Sequence, residues 1–251
     1  MIDGVYDHLN QDFERVYRQL DDSPFTTRGL ISYYDVLKAH YLISDYFIHE
    51  GEEVVYGLKD ANILGSALGR QVTGYGEYQK WKKPEEICAT LFFGLVKNHA
   101  FHDANKRTAL LTLLYQLYRF GRTIQVRQVE FENLAVNVAM SNYKNYKKFE
   151  KFKNKEDGEI LFLADFIRSA TRNIDKRFYP VTYQQLNTLL KRYNCYIEDA
   201  TGNYADIMKI KQEKTFLGLG RKERHVRMIQ IGFPGWKRQV NPKALKEVLK
   251  A

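Results

Sequence analysis

Two cysteines in 251 residues are too few for a disulfide framework. Cys88 and Cys195 lie far apart, and neither has a C-x-x-C partner, which argues against a zinc site and suits a reducing cytoplasm. No window approaches the ~18 uninterrupted apolar residues of a membrane span, so no membrane partner is expected. The N-terminus, MIDGVYDHLNQDFERVYRQL, carries acids at Asp3, Asp7, Asp12 and Glu14 and no apolar stretch. It does not read as a secretory signal. Internal repeats and low-complexity tracts are also missing. What remains is 44% apolar and 27% charged, the balance of a folded globular chain. The length allows one large domain or two ordinary ones.

Lys and Arg number 39 against 30 Asp and Glu, a formal charge of +9. The excess is uneven. Residues 1–180 hold 25 and 24, a net of +1, whereas residues 181–251 hold 14 and 6, a net of +8. A single charge run is most often a solvated face. A whole segment this basic points to a polyanionic partner, either nucleic acid or an acidic protein.

The hydrophobic pattern changes at the same place. Before about residue 175 the chain reads as successive amphipathic helices. Apolar stripes at helical spacing are Val36, Ala39, Ile43, Phe47; then Cys88, Leu91, Phe92, Leu95, Val96; then Leu110, Leu113, Leu114, Leu117, ended by Gly121; then Phe131, Leu134, Ala135, Val138; and Ile160, Leu163, Ala164, Ile167. The run from Tyr143 to Lys153 interleaves aromatics with lysines and reads as a solvated helix face with buried rings, nucleic-acid contact being the minority reading. A short linker, Asp175 to Val181, follows. Thr182 then caps a helix, three strands are expected at Cys195–Ile197, Ala205–Ile210 and Val226–Phe233, and Asn241-Pro242 opens a last helix over Lys243–Leu249. Gly202-Asn203 and Gly218–Gly220 are the turn candidates. The expected fold is mainly α: an all-α domain over residues 1–175, then a small basic α/β (α-β-β-β-α) domain over residues 181–251.

The stretch LVKNHAFHDANKRTALLTLL, Leu95 to Leu114, carries the chemistry. An apolar helix ends near His99, a polar loop follows, and a second helix opens with Asn105, Lys106 and Arg107. A helix start with free N–H groups is an anion site. Two cations there oppose the helix dipole unless a polyanion binds. Asp103 could hold a divalent cation on that polyanion, and His99 suits general-base work near neutral pH. Cradle, metal ligand and base together suggest phosphoryl or nucleotidyl transfer. His8 and His40, lone histidines on helices, read as structural, and His102 as a solvated loop residue.

The string His99-Ala-Phe101-His-Asp103-Ala-Asn105-Lys-Arg107 resembles the signature of the Fic/Doc (Fido) family, H-x-F-x-D/E-G/A-N-G/K-R. Seven constrained positions fall in nine residues. The segments Gly57–Asp60, Leu64–Leu68 and Pro84–Ala89 are similar to those that precede the motif in Doc-like proteins, and the resemblance spans about residues 30–170. It implies ATP as donor, Mg²⁺ as cofactor, and a target protein offering a Ser, Thr or Tyr hydroxyl. His99 would be the general base, Phe101 a buried anchor of the loop, and Asp103 the Mg²⁺ ligand. Ala104, Asn105, Lys106 and Arg107 would bind nucleotide phosphate, Arg107 in bidentate fashion.

Fic proteins that transfer AMP typically carry G-N-G and a second Arg three residues after the first. Here those positions are Ala104, Asn105, Lys106 and Leu110. The A-N-K-R form resembles the Doc (death-on-curing) branch, which implies protein phosphorylation by a toxin or effector. AMP transfer at the same site and a catalytically inactive binding protein stay as alternatives. A self-inhibitory S/T-x-x-x-E-G/N string is not matched, since Tyr46 precedes Glu50-Gly51; Glu50-Gly51 reads as a loop start, and restraint by a separate antitoxin is the implied arrangement. Val72 to Tyr78 is either an ordinary loop or the family's target-docking flap. Residues 181–251 resemble the HicA-like, double-stranded-RNA-binding-type fold in length and order of elements. They carry Gly202-Asn203-Tyr204 where HicA toxins have Gly-Ser-His, which argues against ribonuclease chemistry. His225, in a basic stretch, reads as a surface residue. RNA or ribosome contact and recognition of an acidic protein both stand as readings of this segment.

Overall fold

In the computed structural model of the chain, the residues described are 1–250 without Thr26, Arg28, Gly76, Glu77, Lys176, Phe178, 199–202 and 215–220. The fold is mainly helical and divides into two compact units, Met1–Ile174 and Asp175–Ala251. Among the described residues no helix is long and apolar enough to cross a membrane.

The first unit contains α1 (Asp7–Tyr17), α2 (Tyr33–Glu50), α3 (Ala61–Gly69), α4 (Pro84–Asn98), α5 (Asn105–Arg119), α6 (Gln128–Ala139) and α7 (Gly158–Ala170). The five apolar stripes fall on α2, α4, α5, α6 and α7. Helix α4 is central: Cys88, Ala89, Thr90, Leu91, Phe92, Gly94, Leu95 and Val96 are all buried, so neighbours cover most of its circumference. Pro84 opens it, and Glu86 accepts from the Lys83 N–H at 3.3 Å. Gly94 lets α3 cross closely, because a Cβ there would stand 2.9 Å from Arg70 Cδ and 3.1 Å from Ala67 Cα. Helix α2 starts with a capping box, Ser32 with Asp35, and ends on left-handed Gly51 as the loop start expected at Glu50-Gly51.

The first unit is not all-α. Strands β1 (Gly74–Tyr75) and β2 (Tyr78–Gln79) pair antiparallel, as do β3 (Arg122–Ile124) and β4 (Thr171–Asn173). Strands of two or three residues are too short to leave a period in the sequence. The β3–β4 ladder ties the end of α5 to the end of α7, and Arg122 adds bonds to Thr171 Oγ1 at 3.0 Å and to Glu85 at 3.2 Å. The Tyr143–Lys153 run is corrected too. It forms turns with a 3-10 segment at Lys147–Lys151, not a helix face, although Tyr143 is buried and the lysines point outward.

The second unit is built from α8 (Tyr183–Lys191), β5 (Cys195–Ile197), β6 (Tyr204–Lys214), β7 (Arg221–Gly232) and α9 (Pro242–Val248). Thr182 caps α8 in a capping box with Gln185, and Asn241 caps α9 with Pro242 in its first turn. The sheet order is β5-β6-β7, antiparallel throughout. Its core is its own: Tyr183, Leu186, Ile197, Ala205, Ile207, Ile231, Val240 and Val248. Strands β6 and β7 are longer than the apolar alternation showed, because their polar outer ends pair only with each other, beyond β5. The turn expected at Gly218–Gly220, and Gly202 of the other turn, lie outside the described residues.

Candidate functional site

The site is a loop of six residues between two helices. Helix α4 ends at Asn98, and His99 follows with φ 50° and ψ 53°. Helix α5 begins after Ala104, which has φ 57° and ψ 16°. Both are left-handed residues with a Cβ, a conformation that costs of order 1–3 kcal/mol each and persists only where the surroundings hold it.

The surroundings do hold it. Phe101 bridges to Leu58 in antiparallel fashion. The Lys59 N–H donates to the Ala100 carbonyl at 2.8 Å, and the His102 N–H donates to the Gly57 carbonyl at 3.3 Å. The Asn105 amide closes on the Phe101 backbone from both sides: Oδ1 accepts from the Phe101 N–H and Nδ2 donates to its carbonyl, each at 2.9 Å. Phe101 itself is 3% exposed, the buried anchor of the loop.

Beneath the loop lies His40 of α2, fully buried. Its Nε2 accepts from the Gly57 N–H at 3.0 Å, and its Nδ1 meets Thr108 Oγ1 at 3.2 Å. The amide can only donate, so the ring is assigned as neutral with its proton on Nδ1. Burial pushes its pKa down to about 3. The ring stacks on Phe101 with centroids 4.0 Å apart.

Polar side chains of the motif are open to solvent. His99, Asp103, Lys106 and Arg107 are exposed. Helix α5 has no acid in its first turn and no side-chain cap. Among the described residues nothing accepts from the N–H groups of Asn105, Lys106 and Arg107, whereas Thr108 already bonds back to the Ala104 carbonyl at 2.9 Å. Three N–H donors and two exposed cations thus gather at one helix start, an arrangement that attracts a polyanion. The Arg107 guanidinium lies over the Phe47 ring of α2, 4.1 Å from its centroid. That leaves its N–H edge free for a bidentate contact.

The structure therefore brings together every residue singled out in the motif, with a division of labour. Asn105 gives its side chain to the loop and keeps only its backbone N–H for an anion. Ala104 contributes backbone alone. In the sequence Phe47 read only as part of a core stripe and Gly57 only as part of the Gly57–Asp60 resemblance; the contacts of Phe47 with Arg107 and of Gly57 with His40 appear only in three dimensions.

Among the described residues no group of three or more His, Cys, Asp or Glu could hold a metal ion by itself. Asp103 offers one exposed carboxylate. That suits an ion that keeps several waters and binds mainly to substrate phosphates, the usual manner of Mg²⁺.

Strands β1 and β2, between α3 and α4, carry Tyr75 at 92% and Tyr78 at 61% exposure. Gly76 and Glu77, between the two strands in sequence, lie outside the described residues. Gly74 is required there, because a Cβ would come within 2.0 Å of the Tyr78 carbonyl oxygen. Lys80 anchors the base of the hairpin on Asp157, with Glu156 at 3.5 Å.

In the second unit His225 is exposed, with Nδ1 2.8 Å from Tyr196 Oη. Lys211 and Arg224 stand directly opposite each other across the β6–β7 ladder.

Residues 30–117 match the model of the Fic/DOC family. The matched span runs from the residues before α2 to the fourth turn of α5 and contains the whole candidate site. A search of curated proteins finds no match.

Proposed function

We propose that this protein transfers a phosphate-containing group from ATP to a hydroxyl of a target protein, and that the group is the γ-phosphoryl. The family match over residues 30–117 supports transfer of this general type. The observation that carries the reading is the α5 start, where three N–H groups without an acceptor among the described residues stand beside Lys106 and Arg107.

Each residue has a role that its geometry allows. The α5 N–H groups and Lys106 receive the phosphates, and Arg107, flat on Phe47, grips two oxygens at once. Asp103 would hold Mg²⁺, which neutralises charge on the phosphates when bound. His99, exposed in the loop, takes the proton from the attacking hydroxyl. The open placement of these side chains accommodates a substrate as large as a protein. The exposed β1–β2 hairpin is the proposed docking edge for it, offering Tyr75 and Tyr78 as anchors.

Phosphoryl transfer is preferred over AMP transfer because the motif reads A-N-K-R and Leu110 stands where a second Arg would be. Incubation with ATP labelled at the α or the γ position, followed by mass spectrometry of modified cell protein, distinguishes the two. A γ label on the target supports phosphorylation; an α label establishes nucleotidylation and overturns the preference. No label of either kind on any protein would sink the enzyme reading and leave a Fido-like binding protein. A toxin held in check by an antitoxin is the proposed setting, and growth arrest on expression, relieved by His99→Ala, is its test.

The second unit is proposed to engage RNA or the ribosome. The net charge of +8 over residues 181–251 supports this, since a segment this basic favours a polyanionic partner. Binding that does not weaken with salt would defeat this proposal in favour of an uncharged interface.

A further inference from the structure

The transfer chemistry above makes no use of His40. Its buried ring is nevertheless where three pieces of the site converge. The Gly57 N–H donates to Nε2 at 3.0 Å, and the Gly57 carbonyl in turn accepts from the His102 N–H at 3.3 Å. One residue therefore links the ring to the loop backbone next to Asp103. On its other side Nδ1 meets Thr108 Oγ1 at 3.2 Å, in the first turn of α5. The ring plane lies nearly parallel to Phe101, at an angle of 16° with centroids 4.0 Å apart.

An ordinary core histidine also needs partners for both nitrogens. Here both partners, and the stacked ring, belong to the frame of the loop and not to the neighbours of α2 in sequence. Gly57 is 17 residues and Thr108 is 68 residues away. The ring thus joins the middle of the loop, through Gly57 and His102, to its exit into α5, through Thr108.

We propose that His40 is a positioning residue for the transfer site: by bonding Gly57 and Thr108 at once and stacking under Phe101, it sets the placement of the His99–Asp103 loop over the start of α5. The proposal rests on the transferase reading above. It acts on the loop, which carries His99 and Asp103, and leaves the phosphate-facing groups of α5 in place. His40 therefore bears on the rate of transfer and much less on nucleotide affinity.

Three substitutions separate this role from simple core filling. His40→Gln can place an amide oxygen where Nε2 stands and keep the Gly57 bond. His40→Asn can reach only toward Thr108. His40→Leu fills the space and makes neither bond. In the full-length protein kcat should fall about 100-fold in the Asn and Leu variants, the scale of a misplaced reacting group. The Gln variant should recover to within about tenfold, with KM for ATP within about threefold throughout. Equal losses in all three, or KM moving with kcat, would overturn the positioning role. So would a folded Leu variant with full activity. Should the Leu variant fail to fold, the Gln and Asn pair still decides.

Amide hydrogen exchange gives a readout that does not depend on catalysis. Exchange at Gly57 and His102 should quicken in His40→Asn and stay near wild type in His40→Gln, with the α6 amides unchanged in both. Unchanged exchange at Gly57 in the Asn variant overturns the proposal. If wild-type protein transfers nothing from ATP, the transferase reading fails by that result, and the exchange contrast alone then judges the hold of His40 on the loop.

Discussion

Positive charge is used differently in the two units. In the first unit, which is nearly neutral, Lys106 and Arg107 sit at one helix start with no acidic partner among the described residues. Their position is fixed by α5, by the stack on Phe47 and by the loop that His40 and Asn105 hold. In the second unit the excess, +8 over residues 181–251, is spread. Lys191 and Arg192 close α8, Lys209 and Lys211 follow along β6, and none of these four has an acidic partner among the described residues. Arg227 is paired with Asp206 at 3.2 Å. Two anchored cations make a site with a defined geometry, where a shift of an ångström matters. Dispersed cations on a ribbon make an adhesive surface whose strength depends on salt.

If that contrast holds, the largest effects belong to the first unit and concern chemistry. His99→Ala should lower kcat about 10²–10⁴-fold, the range of a lost general base, and leave the melting temperature near wild type because the side chain is exposed. Radiolabel transfer with purified protein measures the first and calorimetry the second. A variant that loses both activity and stability would break the comparison, since it would make the motif a structural element.

The next effect in size is on stability and follows from His40. Its pKa is lowered to about 3 by burial, against about 6.5 in an unfolded chain. Below pH 6.5 the unfolded state takes up a proton that the folded state refuses, so stability falls as pH falls through this window. The slope approaches ~1.4 kcal/mol per pH unit, or about 2 kcal/mol by pH 5. Denaturant titrations across pH 7 to 4 test this. His40→Gln should remove this contribution to the slope.

Smaller still is the stack beneath Arg107. Phe47→Leu should weaken ATP binding by about 0.5–1 kcal/mol, a few-fold in KM, because the guanidinium loses its platform but not its charge. Isothermal titration with ATP and Mg²⁺ checks it; no change in affinity would mean that Arg107 leaves the ring when nucleotide binds. In the second unit, Lys211→Ala should reduce the log–log salt slope of RNA binding by about 0.7–0.9 and leave stability near wild type, because the side chain is exposed. Activity on ATP should not move. A loss of stability in this variant would show that Lys211 is packed and not merely charged.

The contiguous part of the site was legible in sequence because α4, the loop and α5 are consecutive and each residue type there has a local reason. The apolar stripes marked α2 and α4 to α7 for the same cause, since a face of three or four turns repeats often enough to be read. Helix α1 was not singled out, although Leu9, Phe13 and Val16 are buried at helical spacing, because the acids around them dominate the segment. The strands of the first unit and the outer ends of β6 and β7 were hidden by shortness or by polarity. What the sequence could not show is convergence across distance. His40, Phe47 and Gly57 lie far from the motif, and only the fold places them under it.

The order β5-β6-β7 leaves β7 as an outer strand of twelve residues, with one side of its backbone unpaired among the described residues. A strand of that length would ordinarily invite a second chain to extend the sheet. Its sequence, RKERHVRMIQIG, places charge at Arg221, Lys222, Glu223, Arg224 and Arg227. Those charges discourage such addition. Engineering them away to weaken a nucleic-acid contact would therefore risk fibrous self-association, so the basic character of this strand also protects the solubility of the protein.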